Sequence, residues 1–478
     1  MLDYPVYNAL ENAALQWPNH PAVHDEFGSL TFLELLQEVN QVKSELKRLG
    51  IKPGMAVGVI SRNNRNFIIA IFAVIATGAT VIPMSHQLKE EELNTILDES
   101  KLHAVLNDGS SIFGKKDGIK INLTNGNFYY STTLVSSDHI FASHVDKPAF
   151  MRFTSGTTGK AKGVVISHKS AIERVEAANK ILQLGPSDTV IWVLPIAYHF
   201  VVSILLYVRF GAAIAIVSDF LPKNIIDMTN RFKGTLIYAS PMQIRLLANS
   251  SGGELMPSLN RVISTSAGIS KEICVDFYER FQKQVSQAYG IIEIGLPMIN
   301  YLHSEDEPDA VGTILPDFEV CIFDENNLEL PDGEIGKLGI KGPGMFDAYL
   351  NPPVKRDAVL INGYFLTADF ASKKNNLVKI EGREKTVINV AGNKVFPEEV
   401  EAVLETFPGI KMARVSSVPH PLMGQIVQAE VILEESIKVE IEEMLTYCRK
   451  RLSTFKIPQR VKIVDTLQMT GSGKLIRY

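Results

Sequence analysis

Phe153-Thr-Ser-Gly-Thr-Thr-Gly-Lys-Ala-Lys-Gly163 lies between two apolar runs, Ala149-Phe150-Met151 and Val164-Val165-Ile166. That setting predicts a hairpin whose bend is built for anions. Glycines let backbone N–H groups turn inward, Ser155, Thr157 and Thr158 add hydroxyl donors, and Lys160 and Lys162 bring positive charge. A triphosphate is the natural ligand of such a loop. Read instead as a flexible polar loop, it would have to arise by chance. Fixing Ser155, Gly156, Thr157, Thr158, Gly159, Lys162 and Gly163 at about 7% usage each makes that on the order of one in 10⁵ chains or rarer. A P-loop is excluded by spacing, because no Gly-Lys pair at the required distance from a preceding Gly is followed by Ser or Thr. A different phosphate-binding fold is required.

On both sides of this loop, short β-rich runs recur: Val57–Ser61, Thr80–Met84, His103–Leu106, Thr189–Leu194, Gly234–Tyr238 and Arg261–Ser264. Stretches with helical periodicity separate most of them. Continuous apolar strands alternating with helices predict parallel sheets covered on both faces, an α/β arrangement. From about Val311 to Ile361 the texture changes, with Asp332-Gly333, Gly336, Gly339, Gly342 and Gly344 punctuating short strands, as in a small antiparallel subdomain. Beyond Arg383, Phe396-Pro397-Glu398-Glu399 predicts a helix start with proline in the first turn, and Ile441, Met444, Leu445, Cys448 and Leu452 form a second helical stripe. Such a tail is long enough for an α+β domain of its own, joined near Glu381 to Lys385.

The chain has 478 residues, 46% apolar and 21% charged, an ordinary globular balance that predicts two or three packed units. A net charge of −5 gives no basic footprint for nucleic acid. The three cysteines, Cys274, Cys321 and Cys448, are far apart and form neither a disulfide framework nor a zinc pattern. The first residues lack a secretory signal, which predicts a cytoplasmic location. No membrane span is expected: Val190–Val217 is interrupted by Pro195, His199, Arg209 and Gly211 and reads as strand, loop, helix and strand, while Ile68–Met84 reads as a buried helix turning into a strand.

Further motifs follow in order: Gln287-Ala-Tyr-Gly-Ile-Ile-Glu293, Gly363-Tyr-Phe-Leu-Thr-Ala-Asp369, Gly382-Arg-Glu-Lys385 with Gly392-Asn-Lys394, and Thr470-Gly-Ser-Gly-Lys474. Together with the 153–163 loop they resemble the adenylate-forming superfamily of acyl- and aryl-CoA synthetases, peptide-synthetase adenylation domains and beetle luciferases, nearest to acyl- or aryl-CoA ligases. The resemblance covers nearly the whole chain. It implies a large N-terminal domain, 1–383, of parallel-rich sheets with helices and a small antiparallel β subdomain, and a small mobile C-terminal domain, 384–478, hinged near Lys385.

It also implies roles. ATP or AMP would be bound by Thr154, Ser155, Gly156, Thr157, Thr158, Gly159, Lys162, the Ser266-Ala267-Gly268 loop, Tyr289, Gly290, Asp369 and Arg383. Tyr289 would stack on adenine, Asp369 would accept both ribose hydroxyls, and Glu293 would help hold Mg²⁺. The catalytic set would be Lys474, which bridges the substrate carboxylate and the α-phosphate, with Thr154, His199 and the hinge residue Lys385. Taken alone, Glu293 reads as a charge at a helix N-terminus, Asp369 and Arg383 as surface ion-pair residues, and Lys474 as a frayed tail. One departure stands out: Ile292 occupies the position where the family usually has a threonine hydroxyl. Backbone groups and the 155–159 loop are expected to compensate.

The acyl pocket implied by the resemblance comprises Tyr198, His199, Tyr238, Ala239, Ser240, Ile291, Ile292, Gly295 and Leu296. His199 stands about one residue further from Pro195 than the family's spacing. No aspartate is present there to hold an amino acid's ammonium, and the lining carries no charge, so a neutral aliphatic or aromatic acid is expected. The resemblance implies ATP-dependent activation of that acid to acyl-AMP, then transfer to a thiol. With no carrier domain before Tyr478, coenzyme A is the first expectation as acceptor and the phosphopantetheine of a separate acyl or peptidyl carrier protein the second. A non-catalytic nucleotide- or acyl-binding regulator, motivated by Ile292, is the alternative from another class.

Overall fold

The computed structural model describes residues 4–111, 118–153, 162–384, 386–390, 393–421, 423–434, 437–469 and 475. Its large part is built on two sheets. In the first, Ala213–Ile216, Thr189–Trp192, Leu236–Ala239, Arg261–Ser264 and Val285–Ile291 run parallel side by side. Apolar residues fill both of its faces: Trp192, Tyr238 and Ile263 face one core cluster, and Ile191, Ile237 and Val262 face another. This is why these strands read as continuous apolar runs.

The antiparallel strands expected between residues 311 and 361 form, and most of them extend this sheet. A hairpin joins Val285–Ile291 to Gly295–Ile299, and the pairing continues through Gly312–Ile314, Leu377–Arg383, Phe365–Lys374, Gly336–Lys341 and Glu319–Phe323. One sheet thereby joins a parallel block to an antiparallel one; Tyr289 lies on the strand where the two meet, and Asp369 on an antiparallel strand with three others between.

The second sheet places Ala56–Ser61 between Thr80–Ser85 and Ala104–Asn107, all parallel, and continues to Pro148–Phe153 and Gly163–Ser167. The last two form the expected hairpin, with Phe153 opposite Gly163. The bend, residues 154–161, lies outside the described residues. Behind these strands runs the helix Arg65–Ala76, all of whose residues are buried, capped by Asn64 through a 3.1 Å bond from the Asn66 N–H. Among the described residues no helix is long and apolar enough to cross a membrane.

The small C-terminal part pairs Ile410–His420 with Gly424–Leu433, flanked by Ile388–Val390 and Arg460–Ile463. The helices Pro397–Glu405 and Ile441–Arg449 cover it, burying Val400, Leu404, Met444 and Cys448. Ile441 departs from the expected stripe, being 39% exposed at the first position of its helix. A contact to the large part runs from Arg245, on the helix Pro241–Ala248, to Glu405 at 3.3 Å and to the Lys411 carbonyl at 3.1 Å.

Candidate active site

The strand Phe365–Lys374 sets Asp369 opposite Arg383 on Leu377–Arg383. The pair is no loose surface bridge: Arg383 Nε lies 3.3 Å from Asp369 Oδ1, and the carboxylate is buried, 8% exposed. Tyr289, from Val285–Ile291 further along the same sheet, donates its hydroxyl to Asp369 Oδ2 at 2.5 Å. Burial, reinforced by that carboxylate's charge, holds the phenol well above its ordinary range, so it remains a donor. Asp369 keeps accepting capacity for diol hydroxyls, because each carboxylate oxygen carries two lone pairs.

The Ser266-Ala267-Gly268 loop follows the strand Arg261–Ser264. Ala267 and Gly268 are exposed, and nothing stands within 4 Å of where a Gly268 Cβ would be, which leaves room for a flat ring. The loop is held by Gln287, whose side-chain oxygen accepts the Ile269 N–H at 2.7 Å. Gln287 belongs to a quoted motif, yet sequence reasoning gave it no role. Its work is to tie the loop to the strand that carries Tyr289.

Glu293 lies on the tight turn between Val285–Ile291 and Gly295–Ile299, and not at a helix start. Gly290 is required by that turn: a Cβ would meet the Gly295 carbonyl at 2.5 Å, so its lack of a side chain serves the hairpin. The Glu293 carboxyl is partly buried, accepts the Tyr349 hydroxyl at 3.4 Å, and is pushed above the usual carboxylate range chiefly by burial, with Arg152 and Lys162 pulling the other way. Lys162 is exposed, its ammonium 4.8 Å over the Tyr349 ring. Two cations, Arg152 and Lys162, thus bear on one partly buried carboxylate.

Around the expected acid pocket, aromatic rings interlock. Trp192 stacks on Tyr238 at 5.8 Å and meets His199 and Tyr207 edge-on at 5.6 and 5.9 Å. Tyr198 and His199 end a short helix, Ile196–His199, which runs into a π-turn over Phe200–Ile204. Tyr238, Ile292 and Leu296 share one core cluster, with Ile291 packed against it.

Three expected pocket residues have other work. Ala239 points to the opposite face of its strand, among Ile191, Ile237 and Ile244, because neighbours along a strand alternate. Ser240 starts the helix Pro241–Ala248 in a capping box with Gln243, at 2.8 and 3.0 Å. Gly295 backs onto Arg174, whose Cβ would lie 3.3 Å from a Gly295 Cβ. Thr154, Ser155, Gly156, Thr157, Thr158, Gly159, Lys385 and Lys474 lie outside the described residues.

Sequence reasoning missed Arg152. Its guanidinium donates through Nη1 to the Tyr198 carbonyl and stands 5.8 Å over the Tyr198 ring, bringing charge to a wall expected to have none. The signal was available: one arginine in the otherwise apolar strand Pro148–Phe153, directly before the anion loop.

A buried carboxylate held by a phenol and an arginine, with cations gathered about a second carboxylate, is an arrangement suited to a nucleotide. The AMP-binding enzyme family model matches residues 10–350, and the model of that family's C-terminal domain matches residues 399–474. The chain belongs to the AMP-binding enzymes, and is an enzyme of the acid–thiol ligase type. Among curated proteins it is 29% identical to an oxalate–CoA ligase of Arabidopsis thaliana, over 98% of this chain and 96% of that one. It is 25% identical to the fatty acid–[acyl-carrier-protein] ligase ScoC of Streptomyces coeruleorubidus, over 96% and 92%. Among solved structures, ATP-bound MatB from Rhodopseudomonas palustris has the same fold, with a TM-score of 0.85 at 22% identity over 98% and 97% of the two chains.

Proposed function

We propose that the chain joins ATP and a carboxylic acid into acyl-AMP, releasing pyrophosphate, and then passes the acyl group to a thiol. The observation that carries this reading is the Asp369, Arg383 and Tyr289 cluster, suited to a ribose; Glu293 with Lys162, suited to metal and phosphates, and the rings around His199, suited to an acid, support it. Among the described residues no group of three metal-ligating side chains exists, so a cation here would share a single protein carboxylate with phosphate oxygens. Glu293, partly buried and weakly bonded, fits Mg²⁺ on those terms. When bound, Mg²⁺ supplies positive charge to the phosphates.

The chain's own residues then orient the reactants. Asp369 fixes the ribose, the hairpin bend with Ser155 to Gly159 and Lys162 gathers the phosphates, and Lys474 bridges the carboxylate and the α-phosphate. The apolar and aromatic lining suits a neutral aliphatic or aromatic acid. The joint falls between residues 383 and 384, where rotation about Lys385 would present a second face of the small domain for thiol transfer. Coenzyme A is the first acceptor in this reading. A separate carrier protein is the second, favoured by the similarity to a fatty acid–[acyl-carrier-protein] ligase.

The test is acid-dependent pyrophosphate release with Mg-ATP over aliphatic, aryl and amino acids, beside Lys474→Ala. Release with one acid class, abolished in the variant, is the expected result. ATP binding without release across the panel would favour a nucleotide-binding regulator.

A further inference from the structure

Two arginines stand beside the Glu293 turn, Arg174 buried and Arg152 half-buried, and they are employed differently. Arg174 is buried and engaged on every side: Nε and Nη2 donate to the Gly344 carbonyl at 2.9 and 2.5 Å, and Nη1 to the Ile292 carbonyl at 3.0 Å. It stitches chain segments together. Among the described residues Arg152 donates to the Tyr198 carbonyl, and its buried Nε has no hydrogen-bond partner. A guanidinium whose Nε is shut off from water is best paired with an anion, and a neutral carbonyl is a poor substitute. Burial weakens its hold on its proton, yet an arginine this basic stays charged.

Its position indicates which anion. Arg152 immediately precedes the phosphate hairpin bend, its field reaches Glu293, and its side chain lies against Tyr198 at the edge of the acid site. It therefore stands where phosphate and acid meet. Ile292, buried at the turn before Glu293, has no polar side chain to offer there.

We propose that Arg152 is a catalytic residue whose guanidinium contacts the oxygens shared by the acid carboxylate and the α-phosphate during adenylate formation. The proposal rests on the acid-activating reading above. In that step a carboxylate oxygen bonds to the α-phosphorus while the bond from that phosphorus to the bridging oxygen breaks. The electron pair departs with pyrophosphate and no proton is transferred. Negative charge gathers on the α-phosphoryl oxygens, and a fixed cation in a dry site stabilises it.

The experiment uses the full chain. Wild-type acid-dependent pyrophosphate release comes first, and its failure would count against the acid-activating reading and not against Arg152 alone. Arg152→Gln is then expected to lower kcat about 10²-fold, with the KM for ATP changed by less than about threefold and the unfolding midpoint retained. Arg152→Lys should recover part of the loss, and millimolar guanidinium should raise the turnover of Arg152→Ala. Affinity for a non-reactive acyl-sulfamoyl adenosine, measured calorimetrically, should fall along with kcat/KM. If Arg152→Gln does not fold, the lysine variant decides: a folded protein with reduced kcat supports the contact, and wild-type kcat overturns it. The proposal is also overturned by wild-type kcat in Arg152→Gln, by unchanged affinity for the analogue, or by a loss confined to acids with a second carboxylate. That last outcome would make Arg152 a reader of the acid's far end.

Discussion

Glu293 is a carboxyl that the fold partly shelters without a full counter-charge, and function and stability therefore pull on it in opposite directions. Its pKa lies above the unfolded value of 4.5, so the native state binds the proton more tightly. Native stability is therefore lost as pH rises from about 4.5 through the raised folded value. Glu293→Gln should abolish acid-dependent turnover yet raise the melting temperature at pH 7, with the gain disappearing below pH 4.5, as a thermal-unfolding series against pH would show. Asp369→Asn should act the other way round on binding. Losing a charged acceptor worth about 1.5–3 kcal/mol should weaken AMP binding about 10- to 100-fold by calorimetry, with little change in fold. At this scale the motifs singled out Tyr289, Asp369 and Arg383, which the structure brings into contact. Sequence reasoning gave no role to Gln287 and Arg152 and did not see the turn and capping parts of Gly290 and Ser240, because each depends on what lies across a turn or a strand.

The helix Arg65–Ala76 shows how far an element can be read. Its apolar run, broken by Thr77-Gly78, indicated a buried helix turning into a strand, and that is what forms, with Thr80–Ser85 after it. Legible too were the hairpin about residues 153 to 163 and the strand-and-helix succession from Val190 to Val217. Periodicity cannot report which distant element a helix supports. Phe72 meets Phe200 edge-on at 5.2 Å, so the buried helix braces the π-turn behind the acid segment. Phe72→Ala should cost about 3–5 kcal/mol, read as a shift of the urea midpoint at constant slope. The alternation that turns Ala239 away from Tyr238 was also out of reach, because the residue type did not reveal which face of a strand covered on both sides would meet the acid.

Across the whole molecule, the sheets bring together residues separated by more than two hundred positions in sequence. Arg152 comes from a strand of one sheet with Lys162 just before the next strand, Tyr289, Asp369 and Arg383 come from strands of the other, and Glu293 from a turn of that second sheet. The order of motifs made this convergence expected, because several spaced signatures constrain a fold more than any single one. The central claim is that this convergence makes an acyl adenylate that a thiol then discharges. Rapid quench with mass detection, using Mg-ATP and an accepted acid but no thiol, tests it directly. Acyl-AMP should accumulate to about one equivalent per enzyme and convert to thioester and AMP when coenzyme A or a phosphopantetheinylated carrier is added. ADP and phosphate as the products, or no acid-dependent product from ATP, would contradict it.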